Sequence, residues 1–269
     1  MADARAWTGL LRWYVEMGAD EAIGAEPVDR LSSPLLRPSA AASARPSPPS
    51  RLPARSAPVA PAAGAARELA AAARDLAELE RAVAGFDGCA LRLTATNTVF
   101  ADGNPEARLM LIGEAPGADE DRIGRPFVGR SGQLLDRMLA AIGIDRRTAY
   151  ITNVIYWRPP GNRKPTPAEI ESCAPFVRRQ IALARPSVLV LCGGTATSAL
   201  LGLSDGITRL RGRWFDLEIP GLERPVATIA TYHPSYLLRT PERKREAWRD
   251  LLAIKARLDA PPEQEAAPD

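Results

Sequence analysis

Four short apolar runs, Arg108–Ile112, Ala149–Ile155, Ser187–Leu191 and Pro225–Ala230, are separated by segments of helical pattern near 130–142, 167–184 and 195–202. Each run is too short for a globular helix, and its apolar residues follow one another rather than alternate. That is the signature of a strand covered on both faces. Strands alternating with helices build a parallel sheet with helices on either side. The expected fold is therefore α/β, a three-layer α/β/α arrangement around a central four-stranded parallel sheet. A further helix is expected near 241–258. In such sheets ligands bind at the carboxyl ends of the strands, so the chemistry should lie in the loops that follow the runs.

The rest of the chain divides by composition. Residues 7–23 include Trp7, Leu10, Leu11, Trp13, Tyr14, Val15 and Met17, which fall largely on one face of a short helix. Residues 32–65 are Pro, Ala, Ser and Arg with almost nothing to bury, as in a disordered linker. No acidic residue occurs between Arg30 and Arg67, while Arg37, Arg45, Arg51 and Arg55 do. The segment reads as a soluble spacer or as a basic tether for DNA. The pattern at 67–84 is helical and opens the folded part. The expected division is an N-terminal helical arm at 1–31, a disordered linker at 32–66, a folded domain at 67–259 and a disordered tail at 260–269. The 269 residues carry a formal net charge of +3, compatible with a polyanionic partner. No apolar stretch is long enough for a bilayer, and Asp3, Glu16, Asp20 and Glu21 do not suit a secretory signal. A cytoplasmic monomer is expected, with residues 7–23 free to dock on the domain or on a partner protein. Three cysteines, Cys89, Cys173 and Cys192, do not make a disulfide framework.

The loops after the runs are distinctive. Gly113-Glu114-Ala115-Pro116-Gly117, then Glu120-Asp121, then Gly124-Arg-Pro-Phe-Val-Gly129, follow the first. Ile151-Thr-Asn-Val154, leading into Arg158-Pro-Pro-Gly-Asn-Arg163, closes the second. The chain's single histidine, His233, stands in His-Pro-Ser after the fourth. No Lys-Ser/Thr pair accompanies the Gly-rich turn, which argues against a P-loop. Four motifs in this order and spacing resemble the family 4 uracil-DNA glycosylases, over about residues 80–258.

The resemblance implies an enzyme that flips uracil out of single- or double-stranded DNA and hydrolyses its N-glycosidic bond, leaving an abasic site. Such an enzyme extrudes the nucleotide, holds the base and stabilises the charge on the departing pyrimidine. Phe127 is suited to stack on the base. The Asn153 amide offers a donor and an acceptor to O4 and N3–H of uracil, a pattern cytosine inverts. His233 would donate to O2. Gly113, Glu114 and Ala115 would bring backbone N–H groups and a carboxylate near base and sugar. In family 1 enzymes an aspartate stands where Ala115 stands here, so Glu114 either takes part of its role or merely fixes the loop. A family 1 tyrosine that excludes thymine corresponds to Gly117, so another wall must reject the methyl group. Arg158, Asn162 and Arg163 could bind phosphates, and Ser235, Tyr236, Leu237 and Arg239 form a loop suited to entering the duplex. Lacking a lyase nucleophile, the enzyme would be monofunctional, and with no histidine inserted at 161–170 it should form no covalent adduct.

The family carries four cysteines that hold a 4Fe–4S cluster. Here the corresponding positions are Phe86, Cys89, Trp157 and Cys173. Two thiolates do not supply such a cluster in the usual way, so no cofactor is expected, with the two rings filling the volume. Two alternatives remain at this stage: a non-catalytic module that binds uracil or damaged DNA, and a glycosylase for deaminated purines.

Overall fold

A computed structural model describes residues 59–260; the N-terminal arm, the linker up to residue 58 and residues 261–269 lie outside the described residues. Helices α1 (Val59–Ala72) and α2 (Leu76–Gly85) open the domain. The start of α1 corrects the expected linker boundary at 66. Five of residues 59–66 are alanine, and without bulk Ala63 and Ala66 bury themselves. Low hydrophobic mass suits a helix lying close against another as well as it suits a linker. Asp75 caps α2 by accepting the Glu78 N–H at 2.7 Å.

The chain then runs through β1 (Asp102–Gly103), β2 (Leu109–Gly113), α3 (Ala118–Ile123), α4 (Arg130–Ala140), β3 (Ala149–Asn153), α5 (Pro167–Ala184), β4 (Val188–Cys192) and α6 (Gly194–Leu201). It ends with α7 (Ile207–Leu210), β5 (Trp214–Leu217), β6 (Val226–Thr231), α8 (Pro234–Arg239) and α9 (Lys244–Asp259). The sheet order is β1-β3-β2-β4-β6-β5. The inner four strands are the four predicted runs, all parallel. Two antiparallel edge strands are added: β1 on β3 and β5 on β6. They escape the sequence pattern because β1 has two residues and β5 is exposed at Trp214 and Asp216.

The continuous apolar runs now have their explanation. Met110, Ile112, Leu189 and Leu191 pack with Phe176, Val177 and Ile181 of α5 and with Leu79 and Val83 of α2. Leu109, Leu111, Val188, Val190 and Ile229 pack on the other face with Leu135 and Leu139 of α4 and Leu251 and Ile254 of α9. Alternate residues of each strand thus face two different helical layers. Register sets the consequence for function. Gly113 pairs with Asn153, and Cys192 with Thr231, so the inner strands end level with one another.

Candidate active site

The loops leaving these level strand ends enclose a cavity of about 520 Å³. Glu114 and Ala115 come from the β2 end, Asn153 from the β3 end, Gly193 and Gly194 from the β4 end, and His233 from just beyond β6. Phe127 reaches in from the loop between α3 and α4. A larger cavity of about 730 Å³ sits at the opposite, amino-terminal end of the sheet, lined by Arg108, Ser187 and Val226. It contains none of the motif side chains, so the smaller cavity is the site.

Phe127 is held in a costly conformation. Its φ of 53° lies in the left-handed region, which bulky residues avoid. Two side chains secure it. The buried Glu120 carboxylate accepts the N–H groups of Val128 and Gly129, each at 2.9 Å, and that of Gly117 at 3.0 Å. The Arg146 guanidinium donates to the carbonyls of Pro126, at 3.1 Å, and Phe127. It is itself anchored by Asp102 at 2.6 Å and Asp136 at 2.8 Å. Arg146 is only one-fifth exposed, so its removal takes a donor from two carboxylates and two carbonyls. Arg146→Ala should cost about 2–3 kcal/mol of stability, measured by the denaturant midpoint, and should lower activity by releasing the Phe127 loop. Glu120 also lines the cavity, and a Cβ added at Gly117 would meet its carboxylate at 2.7 Å. The space beside Gly117 is therefore taken by an acidic wall.

Asn153 and Phe127 converge because residue 113 has no side chain. A Cβ there would lie 2.4 Å from Asn153 Oδ1 and 2.5 Å from Phe127 Cζ. Asn153 is 2% exposed, yet its amide makes no hydrogen bond to any described residue and borders the cavity. An amide that opens on a cavity and has no hydrogen-bond partner among the described residues is set for a ligand. Glu114 is oriented differently: the Thr195 hydroxyl donates to its Oε2 at 2.5 Å.

His233 packs on Phe127, with ring centroids 5.5 Å apart and 25° between planes. Gly193 permits this at φ 96°, where a Cβ would press on His233 Cβ at 3.1 Å. The imidazole caps α8. Its Nδ1 accepts the Ser235 N–H at 3.1 Å and lies 2.8 Å from Ser235 Oγ. A backbone N–H can only donate, so Nδ1 carries no proton and the neutral ring holds its proton on Nε2. Burial, and then the Arg239 charge, lower the His233 pKa from 6.5 to about 4. The ring is a neutral donor at physiological pH.

The predicted DNA contacts divide. Asn162, Arg163, Ser235, Tyr236 and Arg239 line the cavity. Arg158 instead donates to Asn162 Oδ1 at 2.8 Å, holding the 159–163 loop. Arg163 is paired with Glu169 at 2.6 Å while remaining partly exposed. Leu237 sits otherwise than expected: it is fully buried with Leu134, Tyr232 and Ala247, packed inward rather than presented at the surface. The short helix α8 turns it inward, leaving Tyr236 and Leu238 half-buried. Tyr236 packs on Tyr232, 4.9 Å between centroids. Sequence reasoning missed Thr195 and Arg146 and took Glu120 only as part of a motif. Gly193-Gly194-Thr195, directly after an apolar run, was the available signal for Thr195. Nothing local marked Arg146.

Phe86, Cys89, Trp157 and Cys173 all belong to the core on the α1–α2–α5 face. Phe86 packs edge-on against Phe176 at 5.1 Å, and Trp157 Nε1 donates to Thr98 at 3.0 Å. The neighbouring Cys173 thiol lowers Cys89 to about 7, while Cys89 and burial raise Cys173 well above the usual range. Among the described residues no group of three or more His, Cys, Asp or Glu could hold a metal ion. Two sulfurs and two aromatic rings, neither able to ligate iron, do not fit the four-thiolate requirement of a 4Fe–4S cluster.

No helix among the described residues is long and apolar enough to cross a membrane. The profile of the Uracil DNA glycosylase superfamily matches residues 100–252, from before β2 into α9. The chain is 41% identical over 183 residues to the type-4 uracil-DNA glycosylase of Archaeoglobus fulgidus, covering 66% of this chain and 91% of that protein. It is 45% identical over 152 residues to the type-4 uracil-DNA glycosylase of Thermotoga maritima, covering 56% and 77%. With Pyrobaculum aerophilum's type-4 enzyme the identity is 36% over 181 residues, covering 66% and 91%. A site built from four level strand ends, and a match of this extent across it, make this chain a member of the uracil-DNA glycosylase superfamily, in its type-4 family.

Proposed function

We propose that this protein is a monofunctional DNA-repair glycosylase that hydrolyses the bond between uracil and deoxyribose and leaves an abasic site. The observation that carries the reading is Asn153, 2% exposed as a residue, whose amide has no hydrogen-bond partner among the described residues and opens on a cavity that also holds Phe127 and His233. Its Nδ2 donates to O4 and its Oδ1 accepts N3–H. An in-plane hydrogen bond from His233 Nε2 to O2 puts the base nearly coplanar with the imidazole. The imidazole already lies over Phe127, so the base extends across the same ring. The 5.5 Å between those centroids leaves no slot for a base between them, which favours this layered arrangement.

In the reaction the C1′–N1 bond breaks and its electron pair leaves with uracil. The His233 Nε2–H stabilises the anion where charge collects, at O2. A water molecule bonds to C1′ of the oxocarbenium-like sugar and passes a proton to Glu114, the one carboxylate of the β2 loop and a lining residue of the cavity. Ala115 has no group for this task. Solvent later protonates the released base. Glu120, filling the space beside Gly117, supplies a wall against a 5-methyl group. Asn162, Arg239 and the exposed part of Arg163 are placed to hold phosphates around the flipped nucleotide. Excision measured on uracil, hypoxanthine and xanthine in single and double strands tests the reading. Uracil release is expected, and binding of uracil DNA with no base released would overturn it.

The enzyme is also proposed to work without an iron–sulfur cluster, on the ground that Phe86 and Trp157 occupy two ligand positions as packed core side chains. Purified protein is expected to contain less than stoichiometric iron and no cluster absorbance while remaining active. Four irons per chain would overturn this.

A further inference from the structure

The geometry points to Thr195 as a positioning residue that holds the Glu114 carboxylate in register with the attacking water. The inference rests on the reading of Glu114 as the group that receives the water's proton. Thr195 lies in the first turn of α6, directly after the glycines that border the cavity, but is not itself a cavity residue. Its hydroxyl donates to Glu114 Oε2 at 2.5 Å. Glu114 Oε1 makes no hydrogen bond to a described residue and is left for water. One oxygen fixed and one available is the arrangement a carboxylate needs to orient a nucleophile.

The fixation spans two strand ends. Glu114 follows β2 and Thr195 follows β4, strands paired in the sheet from Leu109–Val188 to Ile112–Leu191. The carboxylate is therefore referenced to the sheet rather than to its own loop. Its backbone is tied as well, the carbonyl accepting the Ile155 N–H at 3.1 Å. A glutamate has three freely turning side-chain bonds, and with its backbone already held the Thr195 hydrogen bond is what selects a rotamer.

The test compares Thr195→Val, Thr195→Ser and Glu114→Gln by single-turnover excision of uracil from DNA, with DNA affinity and thermal midpoint measured in parallel. Thr195→Val keeps the shape and removes the donor. It is expected to slow the chemical step about tenfold with DNA affinity and thermal midpoint unchanged. Thr195→Ser should restore the rate. In a Glu114→Gln background, Thr195→Val should have no further effect. A Thr195→Val enzyme with the original rate, or one slowed equally in either background, overturns the inference. Glu114→Gln at full rate overturns instead the reading of Glu114 on which it rests.

Discussion

His233→Ala should lower single-turnover excision of uracil by about 10²–10³-fold, the range seen when one donor to a developing anion is removed. Affinity for uracil DNA should change far less, because the hydrogen bond to O2 strengthens only as the glycosidic bond breaks. Losing the cap on α8 costs about 1 kcal/mol, too little to unfold the domain, so a thermal melt separates the two effects. A variant that retains most of its rate would remove His233 from the mechanism. The wild-type pH profile makes an independent check. The active form is the neutral ring with its proton on Nε2, fixed by the Ser235 N–H on Nδ1. With its pKa lowered from 6.5 to about 4, the ring stays neutral far below the pH at which a free histidine titrates. Excision should show no inflection near pH 6.5. Stability follows the same shift. The unfolded chain takes up a proton below about 6.5 and the folded one only near 4, so His233's contribution is complete above 6.5 and declines as pH falls towards 4.

Asn153→Ala should reduce uracil excision by about 10²–10³-fold, and here both affinity for the flipped base and rate should fall. The amide is the one buried group of the pocket able to offer a donor and an acceptor in a single plane. It is also unusual in having no structural duty: the amide bonds to no described residue, so its loss should leave the thermal midpoint nearly unchanged. That contrast with Arg146, whose loss should be felt in stability, separates a residue kept for the ligand from one kept for the scaffold. Equal excision by Asn153→Ala would show that the base is read elsewhere. A larger residue at 113 should mimic the defect, because a Cβ there meets both Asn153 Oδ1 and the Phe127 ring.

Part of this protein was legible in its sequence for a simple reason. Strands buried on both faces must be continuously apolar, so the four inner strands of the sheet were visible as runs. The loops after them carried residues whose chemistry makes little sense unless they meet, above all Asn153 and His233. Strand order was not visible, nor were the edges: β1 and β5 are too short or too exposed to leave a pattern. The start of the domain was misjudged at 59–66 because alanine serves a close helix contact and a linker equally.

Leu237 shows where pattern reasoning ends. Its neighbours Tyr236 and Leu238 are half-buried, and only the path of α8 decides which of three consecutive side chains turns inward. Arg146 is 19 and 20 residues from the carbonyls it clamps, and Thr195 is 81 residues from Glu114. Hydrogen bonds of that range have no local signature. The identities of the groups that touch the base were thus set by the linear chain, since each must offer a particular donor, acceptor or ring. Which residues hold those groups still was decided by the sheet register, which brings Gly113 level with Asn153 and Cys192 level with Thr231 and so gathers distant loops around one cavity.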